Sequence, residues 1–219
     1  MNPDQVAFLF DLDGVVIDSM PLHTLAWQEY LERHGIYSLE VAERMHGRRN
    51  DEIVNAFFGE GLSPDDVFRH GAAKEALFRE KMRPILQKHL VPGVLEFLEK
   101  FESIPKAVAS NAEPANIDFV LDGAGIRSRF DVIVDGHQVS RAKPFPDIYL
   151  RAAELLGVAP RNCIVFEDSP AGIRAGRDAG AQVVGVQTHT APLPEVDLLI
   201  RDFHDVSLEA WLQGRAVRS

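Results

Sequence analysis

The sequence has a single cysteine, Cys163, no long apolar run and a shortage of positive charge. One cysteine excludes a disulfide bond within the chain and suits a reducing compartment, so we expect a cytoplasmic protein. The apolar run at residues 6–10 is too short to cross a membrane or to form a signal peptide, and it leads directly into acidic residues. We therefore expect no membrane partner.

Positive charge is scarce: 23 lysines and arginines face 33 aspartates and glutamates, which gives a formal net charge of -10. This balance argues against broad electrostatic binding to nucleic acid, so any anionic ligand must be held by local groups. The hydrophobic content of 46% is typical of a soluble globular protein. A chain of 219 residues predicts one large core with an insertion.

The stretch VAFLFDLDGVVIDS, residues 6–19, organises the rest of the chain. Its short apolar run predicts a parallel strand buried on both faces. Asp11 and Asp13 follow, and residues two apart in an extended chain point to the same side, so both acids face one volume of space. Two like charges that close in a partly dry crevice require a bound cation or a retained proton. The pattern therefore predicts a site.

The remaining chain falls into two parts. Residues 20–88 show helical spacing without a buried strand, and they include a helix that begins at Ser63, a predicted N-cap. From residue 89 onward, short apolar strands alternate with helices, which predicts a parallel sheet covered on both faces. We therefore predict an α/β fold: a Rossmann-like, doubly wound core at residues 1–19 and 89–219, with an inserted all-helical cap at residues 20–88.

Polar side chains follow three of the predicted strands. Besides the two acids of the first strand, Ser110 and Asn111 follow the second, and Glu167 and Asp168 follow a later one. In open parallel sheets, ligands bind at the carboxyl ends of the strands, so these groups are expected to converge. Lys143, in the loop RAKPFPD before a helix, is free to point into the same crevice.

Four motifs in order resemble the haloacid dehalogenase superfamily. They are DLDGV at residues 11–15, ASN at 109–111, KPFPDI at 143–148 and FEDSPAGI at 166–173. The helical insertion after the first motif resembles the cap of the branch that contains β-phosphoglucomutase and small sugar-phosphate phosphatases. His23 and Trp27, four apart on the first cap helix, resemble positions that line the site of the mutase.

The resemblance implies a role for each site residue. Asp11 would be the nucleophile that attacks phosphorus and forms an aspartyl phosphate, and Asp13 the general acid and base. Mg²⁺ would be bound by Asp11, by the main-chain carbonyl of Asp13 and by Asp168, with Glu167 in direct contact with the ion or just outside it. The charge on the transferring oxygen atoms would be stabilised by three further residues: Ser110, Asn111 and Lys143.

The cap loop at residues 46–50 departs from the mutase. An ungapped match places His46 and Asn50 where the mutase has a lysine and an arginine, and a mutase must hold a bisphosphate at both ends. Arg48 or Arg49 could compensate, and Arg49 is a candidate for phosphate binding.

The resemblance predicts a Mg²⁺-dependent phosphatase that acts on a small phosphorylated metabolite, a sugar phosphate above all. We expect a monomer. β-Phosphoglucomutase and inorganic pyrophosphatase are the alternatives. Two further hypotheses come from other classes: a receiver domain, against which the cap and the spaced acids argue, and a non-catalytic relative that binds a partner through the cap. Dehalogenation is disfavoured because that branch generally lacks the second acid.

Overall fold

The computed structural model describes residues 5–38, 40–41, 44 and 50–215. Residue contacts divide the protein into two units. One unit contains the residues up to Asp18 together with those from Gln87 onward, and the other extends from Ser19 to Leu86. We call them the sheet unit and the helical unit, and we describe each by itself.

The strands are β1 (Ala7–Phe10), β2 (Lys106–Ser110), β3 (Val132–Asp135), β4 (Cys163–Glu167), β5 (Gln182–Val186) and β6 (Leu198–Ile200). The helices are α1 (Met20–Arg33), α2 (Asn50–Phe58), α3 (Pro64–Met82), α4 (Val94–Lys100), α5 (Pro114–Ala124), α6 (Asp147–Leu156), α7 (Pro170–Asp178) and α8 (Val206–Gln213). Short 3-10 segments occupy Leu86–His89, Arg127–Arg129, Gly136–Gln138 and Pro160–Asn162. Residues 39, 42, 43 and 45–49, within the predicted all-helical cap, lie outside the described residues.

The six strands form one parallel sheet in the order β3-β2-β1-β4-β5-β6. The order runs one way from β1 through β2 to β3 and the other way from β4 to β6, so the direction reverses between β1 and β4. In open parallel sheets, ligands bind at such a reversal, outside the carboxyl ends of the strands. The predicted α/β fold with a doubly wound parallel sheet is confirmed.

The two faces of the central strand are buried against different side chains. Phe8 and Phe10 lie on one face, where the ring of Phe10 stacks on Phe166 with 4.8 Å between centroids. Ala7 and Leu9 lie on the other face, in an aliphatic cluster that includes side chains of α6 and α7. Because both faces are covered, an unbroken apolar run is the pattern that β1 requires.

The helical unit packs α1 and α2 against α3. Ser63 caps α3 as predicted: its hydroxyl accepts a hydrogen bond from the main-chain N–H of Asp66 at 3.1 Å. Trp27 and Phe78 are completely buried in this unit. In the part of the chain that the structure describes, no helix is both long enough and apolar enough to span a bilayer.

Candidate active site

Carboxylates from two adjacent strands meet where the strand order reverses. Asp11 follows β1, Glu167 ends β4 and Asp168 follows it, and one carboxylate oxygen of each lies within 4.8 Å of the others. The Lys143 ammonium donates hydrogen bonds to Asp11 Oδ1 at 2.7 Å and to Glu167 Oε1 at 2.6 Å. The loop before α6 thus brings a cation to the predicted position beside these acids.

The end of β2 contacts the loop before α6. The Asn111 side-chain oxygen accepts a hydrogen bond from the Lys143 main-chain N–H at 3.3 Å. Ser110 is buried, and its hydroxyl accepts a hydrogen bond from the Ala112 N–H at 3.2 Å. The side chain of Asn111 therefore connects the second strand to the loop that presents the ammonium.

Burial and like charges act together on the acids of the cluster. The pKa of Asp11 is raised to about 7: burial is the largest cause, the Lys143 ammonium opposes it, and the negative charges of Glu167 and Asp13 add to it. The pKa of Asp168 is raised well above its usual range, first by burial and then by Glu167, Asp11 and Asp13. Asp13 therefore lies close enough to act on both carboxyl groups, as the D-x-D spacing predicts.

Lys143 remains an ammonium in this environment. Burial by itself lowers its pKa, but the carboxylates of Asp11 and Glu167 outweigh that effect, and the net shift is upward. Only 5% of the side chain is exposed, so the charge is held in a medium where ionic interactions are strong.

Glu167 is completely buried, and both of its oxygen atoms are occupied. Oε1 accepts from Lys143 and, at 2.8 Å, from the hydroxyl of Tyr149. Oε2 accepts three hydrogen bonds at 3.0 Å, from the main-chain N–H groups of Asp168 and Ser169 and from the Ser169 hydroxyl. A carboxylate offers about four acceptor positions, so these five donors saturate it.

Two glycines of the motifs make room for the acids. A Cβ added at Gly172 would lie 1.6 Å from Glu167 Oε1, and one added at Gly14 would lie 1.9 Å from Asp168 Oδ2. Gly14 also has a φ of +75°, which disfavours other residues. The glycines of DLDGV and FEDSPAGI are thus required by the close approach of a carboxylate to the backbone.

Sequence reasoning missed three residues beside these acids. Tyr149 is fully buried in the first turn of α6. The loop after β5 contributes the Thr188 hydroxyl, which donates to the Gly14 carbonyl at 2.9 Å, and His189 Nε2, which donates to the Asp168 carbonyl at 2.7 Å. Ligands bind at the carboxyl ends of the strands in open parallel sheets, and this loop follows the carboxyl end of β5. The same reasoning could therefore have identified it.

The predicted cap residues lie in the helical unit. His23 is buried, its ring stacks on Phe78 with 3.8 Å between centroids, and its Nδ1 lies 3.0 Å from Lys74 Nζ. Trp27 is completely buried. Arg49 lies outside the described residues, as do His46 and Arg48. A substrate-binding role for His23, Trp27 and Arg49 stays a prediction.

The sequence of this chain is similar to those of known enzymes. Residues 6–180 match the family model of the haloacid dehalogenase-like hydrolases. The chain belongs to this family. The resemblance drawn from the four motifs is therefore confirmed, and with it the prediction that the protein is an enzyme.

Similar proteins include both phosphatases and mutases. Hexitol phosphatase A of Escherichia coli (strain K12) is 33% identical over 96% of this chain and 97% of its own length. β-Phosphoglucomutase of Bacillus subtilis (strain 168) is 33% identical over 95% of this chain and 96% of its own length. The crystal structure of β-phosphoglucomutase from Clostridium difficile has a TM-score of 0.84 at 28% identity and covers 96% of each chain. These relatives agree on the family and differ in the reaction that their names describe.

The acidic cluster has the chemistry of a site for a hard cation. Its donors are carboxylate oxygen atoms, which Mg²⁺ prefers, and its three negative charges exceed the single charge of Lys143. A divalent ion would offset this excess negative charge, which adds to burial in raising the pKa values of Asp11 and Asp168. The residues present therefore fit a metal ion, although the saturated Glu167 is the least available of the three acids.

Proposed function

We propose that the protein is a Mg²⁺-dependent phosphatase that hydrolyses a small phosphorylated sugar or sugar alcohol. The observation that carries the proposal is the contact of the Lys143 ammonium with the Asp11 carboxylate, inside a buried cluster of acids at the strand reversal. This arrangement offers a nucleophilic oxygen together with a cation that can neutralise the oxygen atoms of a phosphoryl group.

Asp11 and Asp13 are the proposed catalytic residues. An Asp11 oxygen attacks phosphorus, the bond to the leaving oxygen breaks, and Asp13 gives that oxygen its proton. In the second half of the reaction, Asp13 takes a proton from water as the water attacks the aspartyl phosphate. Inorganic phosphate leaves, and the Asp11 carboxylate is restored.

Three further residues would stabilise the transferring group. Lys143 has three N–H donors, and two of them contact Asp11 and Glu167, so one is available for a phosphoryl oxygen. Ser110 and Asn111, at the carboxyl end of β2, would contribute hydroxyl and amide groups. These contacts strengthen as negative charge develops on the oxygen atoms, which is the requirement for lowering the barrier.

Asp11, Asp168 and the main-chain carbonyl of Asp13 would hold Mg²⁺. Bound there, the ion would neutralise the charge that otherwise keeps a carboxylate and a phosphate apart. Chelation tests this part of the proposal. Excess chelator should stop phosphate release, and added Mg²⁺ should restore it, whereas full activity in chelator would contradict the metal site.

The substrate class is taken from the relatives, among them a hexitol phosphatase of nearly the same length. The test is a panel of hexose phosphates, pentose phosphates and hexitol phosphates, scored for release of inorganic phosphate with Mg²⁺ present. We expect at least one member to be hydrolysed far faster than para-nitrophenyl phosphate. No release from any phosphate ester would refute the proposal.

β-Phosphoglucomutase is the second candidate because relatives of that name match almost the whole chain. One contact favours the phosphatase: the Asn50 amide donates to Glu75 Oε1 at 2.6 Å, so a neutral group already engaged with an acid stands where an ungapped match gives the mutase an arginine. Conversion of β-glucose 1-phosphate to glucose 6-phosphate faster than phosphate release would favour the mutase instead.

A further inference from the structure

Tyr149 is the buried group beside the catalytic acids that the proposed reaction leaves without a role. Its side chain has no exposed surface, and its hydroxyl donates to Glu167 Oε1 at 2.8 Å. The Lys143 ammonium lies 4.9 Å from the centre of its ring. A buried phenol needs a hydrogen-bond partner, and here the partner is the carboxylate that also holds the ammonium.

The Lys143 ammonium is shared between two carboxylates at nearly equal distances. It lies 2.7 Å from Asp11 Oδ1 and 2.6 Å from Glu167 Oε1. Its position therefore depends on how strongly each oxygen attracts it. Glu167 Oε1 also accepts a hydrogen bond from the Tyr149 hydroxyl, and this second donor weakens the attraction of Oε1 for the ammonium.

Glu167 itself cannot turn to adjust this balance. Its other oxygen accepts from the N–H groups of Asp168 and Ser169 and from the Ser169 hydroxyl, and the backbone of Gly172 lies against Oε1. With the carboxylate fixed, removal of the tyrosine hydroxyl leaves Oε1 to the ammonium alone. The ammonium should then move toward Glu167 and away from Asp11.

We propose that Tyr149 is a positioning residue: its hydroxyl occupies Glu167 and its ring flanks Lys143, so that the ammonium stays on Asp11. The inference rests on the proposed function, since it assigns Tyr149 to the phosphoryl-transfer step. Partners at this distance from the reaction commonly change activity by about 10–100-fold when they are removed.

Tyr149→Phe tests the proposal, because it keeps the ring and removes only the hydroxyl. We expect kcat to fall about tenfold at saturating Mg²⁺, while KM for the sugar phosphate stays within about twofold because Lys143 still meets the bound group. Tyr30→Phe is the matched control. The Tyr30 hydroxyl lies 2.9 Å from His70 Nδ1 in the helical unit, so its removal also deletes one partly buried hydrogen bond. The control should lose a similar amount of thermal stability and keep its kcat.

The position of the ammonium can be read independently of activity. The chain has six lysines, at positions 74, 81, 88, 100, 106 and 143. Labelling them with ¹⁵N allows the protected ammonium of Lys143 to be observed by NMR and assigned by its loss in Lys143→Met. We expect this resonance to shift in Tyr149→Phe and to stay in place in Tyr30→Phe.

The outcomes separate this inference from the proposed function. A tenfold fall in kcat together with a shifted Lys143 resonance supports it. An unshifted resonance in folded Tyr149→Phe, or an unchanged kcat, overturns it even if the wild-type protein proves to be a phosphatase. A wild-type protein that hydrolyses no phosphate ester refutes the proposed function and this role with it, and the resonance then reports only whether Tyr149 holds Lys143.

Discussion

Both units of the protein bury a lysine beside a carboxylate, and the two surroundings differ in charge. In the sheet unit, the Lys143 ammonium contacts Asp11 and Glu167, with Asp168 beside them. In the helical unit, the Lys74 ammonium lies 2.7 Å from Glu75 Oε1 and is 1% exposed. The cluster around Lys143 has more acids than cations. Among the described residues, the cluster around Lys74 pairs one cation with one anion.

This difference separates a site for chemistry from a structural ion pair. Burial and the surplus of carboxylates together raise the pKa values of Asp11 and Asp168, which means that folding places these charges in unfavourable surroundings. Proteins tolerate this unfavourable free energy at sites where a bound cation or substrate offsets it. The Lys74 pair has its own compensation: the Asn50 amide also donates to Glu75, and the ring of Trp27 lies 5.0 Å from the ammonium. Four experiments test the contrast.

Asp11→Asn should have the largest effect on activity. The amide cannot attack phosphorus, so we expect turnover to fall by about 10⁴-fold or more while the fold is retained. Phosphate release measures the loss, and circular dichroism checks the fold. Asp122→Asn makes the same chemical change at an exposed ion pair with Arg127 and should leave turnover unchanged. Activity that persists in Asp11→Asn would remove this residue as the nucleophile.

Glu75→Gln should have the largest effect on stability. It leaves the Lys74 ammonium buried without its carboxylate, and breaking a buried pair in this way costs about 3–5 kcal/mol. Urea unfolding measures the loss. Glu209→Gln, which breaks an exposed pair with Lys100, should hardly change the midpoint. Equal losses of stability in both variants would show that the buried pair of Lys74 and Glu75 stabilises the protein no more than an exposed pair does.

Gly172→Ala and Gly71→Ala should act in opposite directions, although both lie within helices. A Cβ at Gly172 meets Glu167 Oε1, so we expect overpacking that costs about 1–3 kcal/mol and displaces the carboxylate. A Cβ at Gly71 would lie 3.6 Å from the Asn50 Cβ, an ordinary contact, and alanine should add about 1 kcal/mol through its helix propensity. Thermal unfolding of the two variants compares them directly, and stabilisation by Gly172→Ala would contradict the close approach.

Asp168→Asn should stabilise the protein at pH 8 when chelator is present. The pKa of Asp168 is raised in the folded state, so its contribution to stability falls as the pH rises above the unfolded value, and the amide removes that loss. With Mg²⁺ the order should reverse, because the wild type gains stability from binding and the variant gains less. A lower melting temperature of the variant in chelator would contradict the charge surplus.

The sequence predicts most of the sheet unit because its signals are local. Each buried strand is a short apolar run, and each acid or amide follows such a run, as Asp11 and Asn111 do. Strand β2 begins at Lys106, although a lysine is not typical of a buried strand. Its ammonium donates to the main-chain carbonyls of Glu102 and Ile104 near the end of α4, a partner set that only the folded chain reveals.

The rest of the candidate site depends on packing between distant segments. The motif identifies Glu167 as an acid beside a metal site, but its saturation requires the hydroxyl of Tyr149 and the start of α7. Nothing in the pattern IYL marks a tyrosine that faces an acid 18 residues away along the chain. For the same reason, the pairing of Lys74 with Glu75 and His23 was not predicted from helical spacing.

The first strand of the chain lies in the middle of the sheet, between partners that come much later in the sequence. During synthesis, β1 emerges from the ribosome long before β4, so Phe8 and Phe10 lack their contacts with Phe166 until that strand has been made. Part of the apolar surface of β1 therefore stays uncovered on the nascent chain until β4 follows it. We expect the need for chaperones to depend on the delay between the synthesis of β1 and that of β4. A circular permutant that begins at the loop before β4 would shorten this delay.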